Sequence, residues 1–171
     1  LPFIKLSRFD RPIGIWLLMW PSWWGLSVSL ELENELGSIY LYFLFFLGAI
    51  IMRGAGCTFN DLVDRKLDAK VERTSRRPLP LKQVSVSQAI SWLIIQSLIG
   101  FIILIQFEKL TIVYGILSLG LVAVYPFMKR ITWWPQFFLG LAFNYGIILA
   151  SVEINNYVSI VCLLLYLSGI F

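Results

Sequence analysis

Residues 59–68 read FNDLVDRKLD and begin at Phe59, the last residue of the apolar run FLFFLGAIIMRGAGCTF at residues 43–59. How this stretch is read decides the fold. If the helix of the apolar run continues through it at about 100° per residue, Asn60, Asp64, Asp68 and Asp61 fall near 0°, 40°, 80° and 100°, about a quarter of the circumference. Like charges so placed repel unless a cation lies among them. Oxygen ligands suit Mg²⁺, which keeps several waters and commonly bridges carboxylates to phosphate oxygens. Beside a membrane helix, where polar side chains are usually functional, Asn60, Asp61, Asp64 and Asp68 are therefore candidate Mg²⁺ ligands.

Working outward, a bilayer span needs about 20 mostly apolar residues. Five segments qualify, at roughly 12–30, 39–58, 86–107, 110–128 and 133–152, and a sixth begins near Tyr157. The chain is 58% hydrophobic, above the roughly 45–50% of soluble domains. The expected fold is an all-α, multi-span transmembrane bundle forming a single domain over residues 1–171, with antiparallel neighbours joined by short connections. Leu1 and the apolar ending LLLYLSGIF further suggest a piece of a longer protein.

Alternation of spans puts Lys5, Arg8, Arg11, the 59–85 connection with Arg65, Lys66, Lys70, Arg73, Arg76, Arg77 and Lys82, and then Lys129 and Arg130 on one face. The other face carries Glu31, Glu33, Glu35, Glu108, Lys109 and Glu153. By the positive-inside rule the basic face is cytoplasmic, in a bacterial inner membrane or, as the alternative, its mitochondrial counterpart. The net charge of +4 is explained by orientation in lipid, and nucleic acid is not an expected partner. The absence of histidine excludes His-based triads and His-ligated zinc or haem. Cys57 and Cys162 have no metal-site spacing and read as small apolar residues. Trp16, Trp20, Trp23, Trp24, Trp133 and Trp134 lie near helix ends, where aromatic belts form.

Metal-binding acids next to the basic stretch ERTSRRPLPLK at residues 72–82 suggest a diphosphate ligand, because arginine grips phosphate oxygens in bidentate fashion. Alone, such a basic cluster also serves topology or anionic lipid. Arg53 sits within an apolar run on the same helix, where an unpartnered charge costs roughly 2.5 kcal/mol or more. It either snorkels to the interface or holds an anion inside the bundle. Gly54 and Gly56 beside it would allow close helix approach. Tyr125, four residues before Lys129 with Pro126 loosening the helix end, can share a site with it, although an interfacial Tyr and a topogenic Lys would look the same.

The segments RFDRPIGIWLLMWPSWWGL (8–26), MRGAGCTFNDLVDRKLDAKVERTSRRPLP (52–80) and YPFMKRITWWPQFFLGLAFNYG (125–146) together resemble the intramembrane UbiA prenyltransferase family, in its branch acting on 4-hydroxybenzoate. The resemblance implies a nine-span bundle and a Mg²⁺-dependent enzyme of ubiquinone biosynthesis. It would move a polyprenyl group from polyprenyl diphosphate to the 4-hydroxybenzoate ring carbon ortho to the hydroxyl. It further implies that Asn60, Asp61, Asp64 and Asp68 hold Mg²⁺ and, through it, the diphosphate. Tyr125 and Lys129 match a Y-x-x-x-K pattern, Arg73 and Arg77 face the diphosphate, and Arg53 receives the carboxylate of the aromatic acid. The family's second D-x-x-x-D motif has no counterpart here, since no aspartate follows Asp68. The segment is thus expected to be the N-terminal portion, inactive alone. Another aromatic acceptor, a membrane transporter and a silent assembly subunit are the alternatives.

Overall fold

The computed structural model describes residues 1–33 and 39–170, apart from the side chains of Glu33 and Lys129; Glu35, expected on the acidic face, lies outside the described residues. Among these residues there are nine helices and no strands. In chain order they are α1 Pro2–Leu6, α2 Ile13–Glu33, α3 Ile39–Asp68, α4 Glu72–Ser75, α5 Val86–Leu104, α6 Lys109–Ile131, α7 Pro135–Asn144, α8 Gly146–Asn155 and α9 Ile160–Ile170. Five stretches are long and apolar enough to cross a bilayer: Ile13–Leu32, Ile39–Asp68, Val86–Leu104, Lys109–Met128 and Pro135–Asn155. The expected all-α membrane bundle is borne out, with α9 as a shorter sixth apolar helix.

Local chemistry sets several boundaries. Ser85 accepts a hydrogen bond from the backbone N–H of Gln88 while the Gln88 side chain accepts one from the Ser85 N–H. This reciprocal cap satisfies two of the donors a helix start leaves open. Asn156 ends α8 in the left-handed conformation at φ 59°, which asparagine tolerates better than most residues. Pro126 loosens the helix less than expected, because α6 runs on to Ile131.

The fifth span differs from a simple rod. It breaks at Tyr145 into α7 and α8, where the N–H groups of Ile148 and Leu149 both donate to the Tyr145 carbonyl. Packing explains the break. α8 lies along α2, and a methyl group on Gly146 would strike Ser22 while one on Gly25 would come within 2.7 Å of the Ile147 Cα. In lipid, apolar burial gives helices little reason to associate, so such backbone-to-backbone approach at small residues does the holding.

A different cluster sits at the basic end of the bundle. Leu6 of α1, Leu62 of α3, Leu79 and Val84 of the connection, and Ala89 of α5 form one buried group, flanked by Phe3, Trp92 and Leu93. It fastens the short N-terminal helix and the 69–85 connection onto α3 and α5, so the charged residues of both segments are presented from a fixed base.

Replacing Gly25 by valine is expected to lower the stability of the detergent-solubilised protein by about 1–3 kcal/mol, the usual cost of overpacking. Gly56→Ala serves as the comparison, because a methyl group there meets nothing within 4 Å. Thermal melting of the two variants checks the difference.

Candidate functional site

α3 continues unbroken to Asp68, as the spacing of its acidic residues requires, and carries them to the basic end. Asp61 is 1% exposed; Asp64 and Asp68 are also buried, and Asn60 on the same arc is half-buried. Carboxylates so removed from water need charged partners. Arginines from three other segments supply them.

Arg8, between α1 and α2, donates from Nη2 to Asp61 Oδ1 at 3.0 Å. Arg77, just after α4, donates from Nη1 to the same oxygen at 3.0 Å and to Asp68 Oδ2 at 2.6 Å. Arg130, near the end of α6, donates from Nη2 to Asp64 Oδ1 at 2.9 Å. Burial opposes the charge on Arg8, yet the facing Asp61 carboxylate holds its guanidinium above the ordinary value. The end of α3 is tied down too: the Thr74 hydroxyl donates to the Asp68 carbonyl at 2.9 Å, satisfying an acceptor that a helix end leaves open.

A polar platform aims Arg8. Ser7, fully buried, accepts from Trp92 Nε1 at 2.8 Å and from Gln96 Nε2 at 3.1 Å. The Thr58 hydroxyl on α3 reaches Gln96 Oε1 at 3.2 Å. Arg8 itself takes a left-handed backbone, φ 56°, a conformation that costs a non-glycine residue about 1–3 kcal/mol. Gly54 gives the platform room, since a methyl group there would meet Gln96 and Phe9. Gly56, expected to play the same part, instead borders an apolar cleft lined by residues that include Met52, Phe59, Leu93 and Val122.

The remaining expected site residues divide. Arg53 is half-buried, its guanidinium carbon 5.2 Å from the centre of the Phe143 ring, and a methyl group on Gly14 would strike it. Among the described residues none of the ion pairs includes Arg53, so its charge rests on the aromatic face. Tyr125 is half-buried within electrostatic reach of Arg53 and Asp64. Arg77 enters the cluster whereas Arg73 is exposed. The side chain of Lys129 lies outside the described residues. Arg8 and Arg130 join the site although topology alone accounts for their charges in the sequence; their signal there is only adjacency, to the RPIG segment and to Lys129.

As a metal site the arrangement is half-built. Among the described residues no three acidic or thiol side chains gather closely enough to hold an ion, and Asp61, Asp64 and Asp68 are each paired with an arginine. The donor chemistry nonetheless fits a hard cation, and one positive nitrogen, Arg77 Nη1, already touches Asp61 and Asp68 together.

Comparison with known proteins gives concordant matches. The model of the UbiA prenyltransferase family matches residues 18–171. A Drosophila pseudoobscura pseudoobscura protein named 4-hydroxybenzoate polyprenyltransferase, mitochondrial, is 47% identical over 170 residues, covering 99% of this chain and 43% of the relative. A Lithospermum erythrorhizon protein named 4-hydroxybenzoate geranyltransferase 1 is 43% identical over 171 residues, covering 99% of this chain and 55% of the relative. The chain thus spans about half the length of these curated relatives. The solved apo structure of a UbiA homologue from Aeropyrum pernix K1 superposes with a TM-score of 0.74 at 21% identity, over 92% of this chain and 58% of the other, a likeness of fold.

Gln96→Leu is expected to strip Ser7 and Thr58 of a buried partner at a cost of about 1–3 kcal/mol. Hydrogen exchange should then quicken at residues 3–9, while exchange in α8 stays slow.

Proposed function

Because the chain belongs to the UbiA prenyltransferase family, we propose that it forms the diphosphate-binding end of a membrane enzyme that prenylates 4-hydroxybenzoate in ubiquinone biosynthesis. The observation that carries the reading is the convergence of Arg8, Arg77 and Arg130 on three carboxylates of one helix, at one end of an apolar bundle. The names of the fly and Lithospermum relatives support 4-hydroxybenzoate as acceptor. The fly relative's name also favours a mitochondrial membrane over the bacterial one.

In this proposal Asp64, Asp68 and Asn60 hold Mg²⁺, which supplies Lewis-acid neutralisation of the diphosphate when bound. Arg77 and Arg130 face the phosphate oxygens and stabilise the charge that grows on them as the allylic C–O bond breaks. The allylic carbon then bonds to the acceptor ring carbon ortho to the hydroxyl, and the ring proton is lost. Arg53, poised over Phe143, holds the acceptor's carboxylate. Tyr125 lies within electrostatic reach of Arg53 and Asp64 and faces the developing cation with its ring, a contact worth roughly 0.5–2 kcal/mol. Lys129 is assigned to the diphosphate by the family's Y-x-x-x-K pattern alone. The donor's tail needs no aqueous transit, since each buried CH₂ contributes about 0.8 kcal/mol to its residence in lipid.

In the complete protein, Asp64→Ala and Asp68→Ala are each expected to reduce Mg²⁺-dependent prenylation at least about a hundredfold, with membrane insertion intact. Product formation from 4-hydroxybenzoate and a polyprenyl diphosphate in liposomes is the measurement; near-normal turnover in either variant contradicts the metal assignment. Arg53→Ala is expected to raise KM for 4-hydroxybenzoate about tenfold or more with KM for the diphosphate nearly unchanged, and the opposite pattern would mean that Arg53 serves the other anion.

A further inference from the structure

Asp61 stands apart from the two aspartates with which it shares a helix face. Its side chain is 2% exposed, against 11% for Asp68 and 12% for Asp64. One of its oxygens, Oδ1, accepts from two different arginines at once, Arg8 and Arg77, both at 3.0 Å. An ion that keeps several of its waters needs open space beside its ligands, and Asp61 has little. Two guanidinium groups drawn to one oxygen, by contrast, repel each other unless a carboxylate stays between them.

We propose that Asp61 is a positioning residue that clamps Arg8 and Arg77 side by side as a phosphate-gripping pair, and is not a ligand of the divalent ion. The assignment rests on the diphosphate reading of the site and deepens it. It departs from the expectation that all three aspartates share one metal.

Arg77 explains why the site needs this residue. It has two anchors, Asp61 and Asp68. When Asp68 turns to a divalent cation, only Asp61 keeps Arg77 in place. The group Arg8, Asp61 and Arg77 then carries one net positive charge with guanidinium donors to spare, which suits a phosphate oxygen.

Arg8 is delivered to this clamp by a built platform rather than by a flexible tail. Leu6 is fully buried in the hydrophobic group beneath the site, Ser7 is fully buried between Trp92 and Gln96, and Arg8, in a left-handed backbone, reaches Asp61 on α3 with its own guanidinium. That platform spans α1, α3 and α5, so the N-terminal segment contributes a cation to a site whose other members lie more than fifty residues downstream.

The test uses the complete protein in liposomes with two readouts that do not depend on turnover: binding of inorganic pyrophosphate in the absence of divalent metal, by calorimetry, and binding of Mn²⁺ in place of Mg²⁺, by electron paramagnetic resonance. For Asp61→Asn, pyrophosphate affinity is expected to fall about tenfold while Mn²⁺ affinity stays within about twofold of wild type. Arg8→Gln should show the same loss of pyrophosphate affinity and Arg8→Lys should recover part of it. Unchanged pyrophosphate binding in folded Asp61→Asn, or a loss of Mn²⁺ affinity as large as that of Asp68→Asn, overturns the proposal. Should Asp61→Asn not fold, unchanged pyrophosphate binding in Arg8→Gln overturns it equally. Failure of the wild-type protein to prenylate 4-hydroxybenzoate would instead contradict the functional reading, since neither binding measurement involves an acceptor.

Discussion

A carboxylate withdrawn from water must be met by positive charge, and the buried aspartates at the end of α3 organise the basic end of this molecule around that need. Removing the arginine from such a pair leaves the buried carboxylate charged and cut off from water, which is strongly unfavourable. Asp61, Asp64 and Asp68 therefore fix where Arg8, Arg77 and Arg130 must lie. Through those arginines they fix the N-terminal helix, the connection after α4 and the end of α6. The same pairs that hold the segments together form the charged surface available to a ligand.

Two kinds of packing meet at this boundary. Within the lipid-spanning part, α2 and α8 are joined by close backbone approach at Gly25 and Gly146. At the basic end, Leu6, Leu62, Leu79, Val84 and Ala89 bury one another as in a soluble core, and there the release of water does favour assembly. The charged cluster therefore sits on a base held by both mechanisms. It stands at the basic end of the bundle, next to the apolar spans.

What the sequence made legible follows from how local each signal is. The continuation of α3 to Asp68, and with it the shared arc of Asn60, Asp61, Asp64 and Asp68, rests on helical spacing alone and could be read directly. Spans and their alternation were equally local. The partners of the aspartates were not: Arg8 is 53 residues from Asp61 and Arg130 is 66 from Asp64, and orientation in the membrane already explained both charges. The same limit separated Arg77, drawn into the cluster, from exposed Arg73 four residues away. Gly54 and Gly56 look alike in sequence, and the positions of Gln96 and Phe9 distinguish them. The break at Tyr145 coincides with the packing of α8 on α2 at Gly146 and Ser22, a tertiary contact that a glycine in the sequence does not by itself announce.

In the proposed function, the paired carboxylates and arginines at the end of α3 bind a prenyl diphosphate and its divalent ion. The most direct measurement is a structure of the complete protein with Mg²⁺ and a non-cleavable thiodiphosphate analogue of the donor. The expected result is the ion on Asp64 and Asp68, with phosphate oxygens in hydrogen-bond contact with Arg77. A diphosphate found away from this helix end, with Arg77 and Arg130 still closed on their aspartates, would contradict it.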